Sequence, residues 1–274
     1  MSGGNVAPVT HETMKEASEW VDNYKNQSHL VFGNTQYAYS YIADQYPNRV
    51  DWDMEKLLIV TIDIEVACEN GFPNPEAAIE PLLSITIKNH QNKQILVWGT
   101  GEYKNTREDV TYIKCKDEKM LIQEFLTFWQ KNQPDVITGW NTRFFDIPYI
   151  VNRMAKVLGI HEINKLSPWQ HQLEHRKIVR RGSENDVYEI PGIQTLDYME
   201  LFQKFGYTYG PQESYALNHI AYVVLGEKKL SYEESGSLKN LYKDDYQKYI
   251  DYNMKDVQLV DRLEEKMGLI TLAL

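Results

Sequence analysis

The stretch LLIVTIDIEV, Leu57–Val66, constrains the fold more than any other part of this chain of 274 residues. Its apolar, β-branched character predicts a buried strand, yet it carries two acids, Asp63 and Glu65. Residues two apart in a strand share a face, so Asp63 and Glu65 project together while Ile62, Ile64 and Val66 point the other way. Ionised carboxylates in a core are costly unless they meet water, a cation or a metal. An edge strand with one wet face would satisfy them. The Leu-Leu-Ile-Val run ahead of them argues instead for a central strand.

The flanking sequence reads as an α/β domain with a mixed sheet. Thr10 is placed to cap a short amphipathic helix in which Met14, Ala17, Trp20 and Val21 share a face. After Leu57–Val66 come two more strands, LLSITIK and KQILVWG, with NHQN as their turn. Asp117 is placed to cap a helix carrying Leu121, Phe125, Phe128 and Trp129 at helical spacing. A short strand, DVITGW, precedes a helix from about Ile147 to Leu158 that ends at Gly159. The runs RKIVRR and VYEI around GSEND read as a hairpin. IQTLDYM reads as a last strand, followed by a helical C-terminal third.

Two further acids stand out. Asp146, in TGWNTRFFDIPY, directly precedes a helix with Pro148 in its first turn; it is either an N-cap or a group facing the acids of a neighbouring strand. Asn141 in the same segment is either a turn residue or a hydrogen-bonding group for substrate. In DYNMKDVQLV, Tyr252 and Asp256 are four apart on one helical face. Asp63, Glu65, Asp146 and Asp256, with no nearby His or Cys, make an all-oxygen set suited to Mg²⁺ or Mn²⁺ and unlike zinc ligation. Divalent ions would also account for two carboxylates on a buried strand. A pair of ions roughly 4 Å apart can activate water and stabilise the leaving oxygen in phosphodiester hydrolysis.

The ordered set DIE at Asp63–Glu65, NTRFFD at Asn141–Asp146 and YNMKD at Tyr252–Asp256 resembles the three exonuclease motifs of the family B DNA polymerases. The flanking GFP, LSP, LDY and KF elements are similar to the replicative polymerases of T-even-like bacteriophages. The similarity runs from about Leu57 to the C-terminus. It implies an RNase H-like DEDD exonuclease fold with a β-hairpin insertion, over residues 51–274. Residues 1–50 would be a remnant of the family's N-terminal domain or an N-terminal extension.

The resemblance implies a metal-dependent 3′→5′ proofreading exonuclease that uses two Mg²⁺ or Mn²⁺ ions. Asp63, Glu65 and Asp256 would ligate the catalytic metal, with Asp63 shared with a second ion held by Asp146 directly or through water. Tyr252 and Glu65 would orient the attacking water. Phe72 would pack against a frayed 3′ end, and Arg176, Lys177, Arg180 and Arg181 of the hairpin would contact phosphates, unless that strand is simply solvated. The expected partners are a single-stranded or frayed DNA 3′ end and polymerase domains on the same or a separate chain. Asp197, in LDY, matches no metal-ligand position of the family. His171 and His175 have metal-compatible spacing only if helical, and Asp251 is expected to be solvated.

Composition sets limits on this reading. The net charge of −10 argues against binding nucleic acid by bulk attraction and leaves room for local or metal-mediated contacts. Two cysteines, Cys68 and Cys115, suggest no disulfide framework and point to a reducing cytoplasm, the host's if the chain is phage-encoded. No run approaches the roughly 20 apolar residues of a membrane span. The family's polymerase motifs do not occur, so the chain is expected not to synthesise DNA itself, as a piece of a longer polymerase or the N-terminal product of a split gene. Two alternatives stay open: a non-catalytic DNA-holding module that needs its partner, and an RNA-directed nuclease of the same class.

Overall fold

The computed structural model describes residues 7–24, 26–27, 37–48, 53–69, 71–180, 182–227 and 238–274. It divides into two units, Met1–Asp53 and Met54–Leu274. The first holds helices α1 (Met14–Tyr24) and α2 (Tyr37–Gln45). Because α1 starts at Met14, the hydroxyl that accepts from its first turn belongs to Thr13, with Glu16 N at 3.2 Å. Thr10, the expected cap, lies three residues too early.

The second unit is built on a six-stranded mixed sheet in the order β4-β3-β2-β1-β5-β8. Its strands are β1 (Ile59–Val66), β2 (Leu82–Asn89), β3 (Ile95–Gly99), β4 (Val110–Lys114), β5 (Val136–Gly139) and β8 (Gln194–Asp197). A separate hairpin pairs β6 (Glu174–Arg180) with β7 (Ser183–Glu189). Strand β1 runs antiparallel to β2 and parallel to β5. It is therefore interior to the sheet, and the solvated edge-strand reading does not hold.

Strand β4 was not anticipated. It is an edge strand on which only Val110 is buried, so its sequence VTYIK lacks the alternation that marks a half-buried strand. The hairpin is also tighter than expected, because Ser183–Asp186 of GSEND belong to β7. The NHQN turn is closed by Asn89 Oδ1, which accepts from Gln91 N at 2.8 Å and Asn92 N at 3.2 Å.

Alternation along β1 divides its side chains between two layers. Val60, Ile62 and Ile64 enter a core with Leu121, Phe125 and Trp129 of α3 (Glu118–Lys131) and Ile147, Ile150 and Met154 of α4 (Asp146–Val157). Ile59 enters the opposite core, with Tyr198 and Leu201 of α5 (Tyr198–Phe205), Ile220 of α6 (Leu217–Leu225) and Leu259, Val260 and Leu263 of α8 (Tyr246–Met267). Each fully buried aliphatic side chain in these layers contributes roughly 2 kcal/mol. Asp63 and Glu65 share the parity of Ile59, so the pleat alone turns them towards α8. Asp117 Oδ1 caps α3 by accepting from Met120 N at 2.8 Å.

Helix α8, flanked by α7 (Leu238–Asp244) and α9 (Leu269–Ala273), is locked against the β2–β3 hairpin by a buried polar cluster around Asp261. Lys93 Nζ donates to Asp261 at 2.9 and 3.1 Å, Lys88 Nζ lies 3.5 Å away and His90 Nδ1 3.3 Å away. Thr61 Oγ1 and His90 Nε2 are 2.7 Å apart. Burial pushes His90 down to about 4, against the pull of Asp261, so the lysines carry the charge that pairs the acid. Desolvation offsets much of the attraction in a buried pair of this kind, so its net contribution to stability is small, whereas removing one partner would strand the other charge. Asp256 lies five residues earlier on the same helix. Among the described residues no helix is long and apolar enough to cross a membrane, and both cysteines are free thiols.

Candidate active site

The β1 face opposite the α3–α4 core opens into a cleft of about 860 Å³. Asp63, Glu65, Asp146, Tyr252 and Asp256 all line it, with Phe72, Asn141, Phe144, Phe145, Arg180 and Tyr215 around them. Carboxylate oxygens of Asp63, Glu65 and Asp256 lie within 4.8 Å of one another. Two segments far apart in the chain, β1 and α8, thus bring three acids to one point. Hard oxygen donors at this spacing, with no nitrogen or sulfur ligand among them, fit Mg²⁺ or Mn²⁺.

Of the two roles the sequence offered Asp146, the structure supports the second, a group facing the acids of a neighbouring strand. The N-cap position of α4 is Phe145, which makes no side-chain cap, and Asp146 is the first helical residue. Its carboxylate reaches across to β1 and accepts from Ile64 N at 3.0 Å, between the two acids of that strand. The bulge in β1–β2 pairing follows at Glu65–Val66. Asp146 is 3% exposed, and burial pushes its carboxyl up to about 7, with the charges of Asp197 and Asp256 adding to the rise and the Ile64 amide opposing it.

That shift carries a sign that can be tested. A carboxyl raised in the folded state favours folding fully below its unfolded value, near 4, and loses that contribution as pH rises through about 7. In metal-free buffer, Asp146→Asn should therefore gain stability over the wild type as pH rises from 5 to 7. The gain should be up to about 1.4 kcal/mol per pH unit and should shrink when Mn²⁺ is added. Urea midpoints across that range read it directly, and a stability gap that stays flat with pH would refute it.

The structure adds a residue that sequence reasoning missed. Asn253 of α8 is fully buried and donates through Nδ2 to Asp63 Oδ2 at 2.5 Å. Its Oδ1 accepts from Ser84 Oγ at 3.0 Å and from Thr86 Oγ1. Those hydroxyls stand opposite Glu65 and Asp63 in the β1–β2 register. Two donors on its carbonyl oxygen turn the amide nitrogen towards Asp63, which fixes how that carboxylate is presented. Asn is a poor interior helix residue, and this one lies three before Asp256 on the same face; that was the available signal.

The remaining predicted residues separate into two groups. Arg180 Nη1 donates to Asn141 Oδ1 at 3.2 Å, and its guanidinium lies 4.5 Å from the Phe144 ring centroid, so both polar groups stand at the cleft. Phe72 is 86% exposed, with its ring 5.3 Å from that of Phe145. Arg176 and Lys177 are not brought to the cleft; they are exposed on β6, facing Glu174 and Glu184. Arg181 lies outside the described residues. His175 is in strand β6, stacked on Tyr188 and 2.9 Å from Asp186, so it does not form a helical pair with His171. Asp251 is bonded where solvation was expected: Tyr103 OH donates to it at 2.9 Å.

Residues 18–220 match the model of the DNA polymerase family B exonuclease domain. The chain is 30% identical to the DNA-directed DNA polymerase of Escherichia phage RB69, over 95% of its own length and 31% of the relative's. It is 27% identical to that of Enterobacteria phage T4, over 99% of its length and 32% of the relative's. A DNA polymerase delta catalytic subunit of Candida albicans is 31% identical over 81% of the chain and 22% of the relative. The chain thus spans about a third of the length of these phage relatives.

Proposed function

The chain belongs to the family B DNA polymerase exonuclease domains and has their RNase H-like α/β architecture, and on that premise we propose that it is a 3′→5′ exodeoxyribonuclease module that proofreads for a phage-type polymerase. The observation that carries this reading is the convergence of Asp63, Glu65 and Asp256 within 4.8 Å in a cleft lined by aromatic rings. Residues 51–274 are the exonuclease module on this reading, with 1–50 as a remnant of an N-terminal domain or an extension. The division of the structure at Asp53 supports that boundary. The partners are a single-stranded or frayed DNA 3′ end and polymerase domains, on this or another chain, in the host cytoplasm.

Two divalent ions, when bound, supply Lewis-acid activation of water and charge stabilisation at the leaving oxygen. Asp63, Glu65 and Asp256 would hold one, and Asp63 with Asp146 the other. Asn253 holds Asp63 in orientation. Glu65 and the Tyr252 hydroxyl would orient the attacking water. Phe72 stacks on the terminal base, and Asn141 and Arg180 contact the strand. Arg176, Lys177 and Arg181 contact phosphates further along it.

The test is digestion of a 5′-labelled single-stranded DNA oligonucleotide with Mg²⁺ or Mn²⁺, beside an EDTA control and Asp63→Ala. The expected result is a ladder shortening from the 3′ end in metal and lost in both controls. A matched RNA oligonucleotide should be cut more slowly. No ladder in either metal would favour a DNA-holding module that needs its polymerase domains. Tyr252→Phe should slow cleavage by about tenfold and leave Mn²⁺ affinity unchanged, because it loses a water-orienting hydroxyl and no ligand. Unchanged kcat would remove Tyr252 from the chemistry.

A further inference from the structure

Asp197 lies at the end of β8, beside Gly139 in the β5–β8 register, and is 2% exposed. As N-cap of α5, its Oδ1 accepts from Met199 N at 2.9 Å and Glu200 N at 3.2 Å. A neutral Ser or Asn would serve that purpose without burying a charge. Capping accounts for only part of what the carboxylate does. Oδ1 also accepts from Asn141 N at 3.3 Å, and Oδ2 accepts from Arg143 N at 3.0 Å. One acid thus joins the start of α5 to the turn that leads from β5 into α4.

We propose that Asp197 is a positioning residue that clamps the 140–145 turn, and so holds Asn141 and Asp146 in register with the acids of β1. This rests on the exonuclease reading above. The turn needs such a restraint because Asn141 adopts φ +66°, a left-handed conformation uncommon for a residue with a side chain. Its carbonyl accepts from Phe144 N at 3.1 Å and Phe145 N at 3.0 Å, which leaves its own N–H pointing out of the turn at Asp197. With that geometry set, Asn141 Oδ1 meets Arg180 at the cleft, and Asp146 opens α4 with its carboxylate on Ile64 N. The Arg143 side chain reinforces the clamp through Glu189 at 2.9 Å and Glu200 at 3.4 Å. Hydrogen bonds to an ionised group are stronger than neutral ones, so a carboxylate grips the turn more firmly than a hydroxyl could.

The experiment separates the cap from the clamp. Asp197→Ser and Asp197→Asn both retain an oxygen able to cap α5, while neither can accept at both of the carboxylate's positions. Amide hydrogen exchange on the full chain should show Arg143, whose acceptor Oδ2 is lost, exchanging at least about tenfold faster in both variants, with Met199 and Glu200, which keep the capping oxygen, changed by less than about threefold. Steady-state digestion should show kcat lowered by about tenfold with KM for the oligonucleotide within about twofold. Unchanged kcat, or unchanged protection at Arg143, would reduce Asp197 to a helix cap and overturn the proposal. If neither variant folds, the wild type still decides: Arg143 N–H must be protected to within about tenfold of Met199 N–H, and an unprotected Arg143 refutes the clamp. Exchange reads the clamp whether or not the chain digests DNA, so failure of the nuclease reading would appear separately, as a wild type that produces no ladder.

Discussion

Asp63→Ala is expected to lower the rate of 3′-end hydrolysis by at least about a thousandfold, some 4 kcal/mol of transition-state stabilisation, while leaving the chain folded. The rate loss follows from position, because Asp63 is the one acid assigned to both ions. The small cost to folding follows from two opposing effects. Carboxylates within 4.8 Å of one another repel by about 3 kcal/mol per pair at the effective dielectric of a protein site. Removing Asp63 relieves that repulsion but strips the acceptor from Asn253 Nδ2, and a buried unpaired amide costs about 1–3 kcal/mol. The repulsion relieved by losing two such pairs at least matches that cost, so the metal-free urea midpoint of the variant should correspond to a stability no more than about 2 kcal/mol below that of the wild type. Mn²⁺ should raise the midpoint of the wild type and much less that of the variant, by linkage. A variant that keeps a tenth of the wild-type rate would exclude Asp63 from the mechanism.

Gly139→Ala should be the most damaging Gly→Ala change among the described glycines. A Cβ at this position would stand 2.5 Å from the carbonyl oxygen of Ile62 and 1.9 Å from Thr142 Oγ1. The Thr142 side chain can turn away, but the Ile62 carbonyl belongs to β1 and adjoins Asp63. Relief must move β1, which carries Asp63 and Glu65, or the start of the 140–145 turn, which leads into Asp146. The expected cost is about 3 kcal/mol of stability, with hydrolysis reduced by more than about tenfold under conditions where the chain remains folded. Adding Thr142→Ala should restore only part of the stability, since the backbone contact persists. A urea midpoint equal to the wild type's in the single variant would show that β1 and β5 are not held this closely.

These two expectations differ in how they could be reached. Asp63 stands out in the sequence because an acid pair interrupts an apolar run. Gly139 looks like an ordinary turn glycine in TGWN; only the approach of β1 to β5 reveals what a side chain would strike. Strand β4 escaped notice for a related reason. It is an edge strand with one buried residue, so its place was set by pairing with β3 and not by its own pattern. The bland reading of Asp146 as a helix cap failed because its carboxylate is used 82 residues away in the chain, on Ile64 N.

What the sequence determined by itself is what local periodicity and chemistry can carry. The pleat of Leu57–Val66 put Asp63 and Glu65 on one face, helical spacing put Tyr252 with Asp256, and four acids without His or Cys made an all-oxygen set that could hold a metal. The order of three motifs was enough to place the chain in its family. Tertiary structure decided the rest: that β1 is central, that Asp63, Glu65 and Asp256 meet within 4.8 Å, that Asn253 orients Asp63, and that Asp197 ties two turns together. Hydrogen bonds across 54 to 190 residues of chain leave no periodic trace, because each depends on how elements pack and not on the order of residues within one of them.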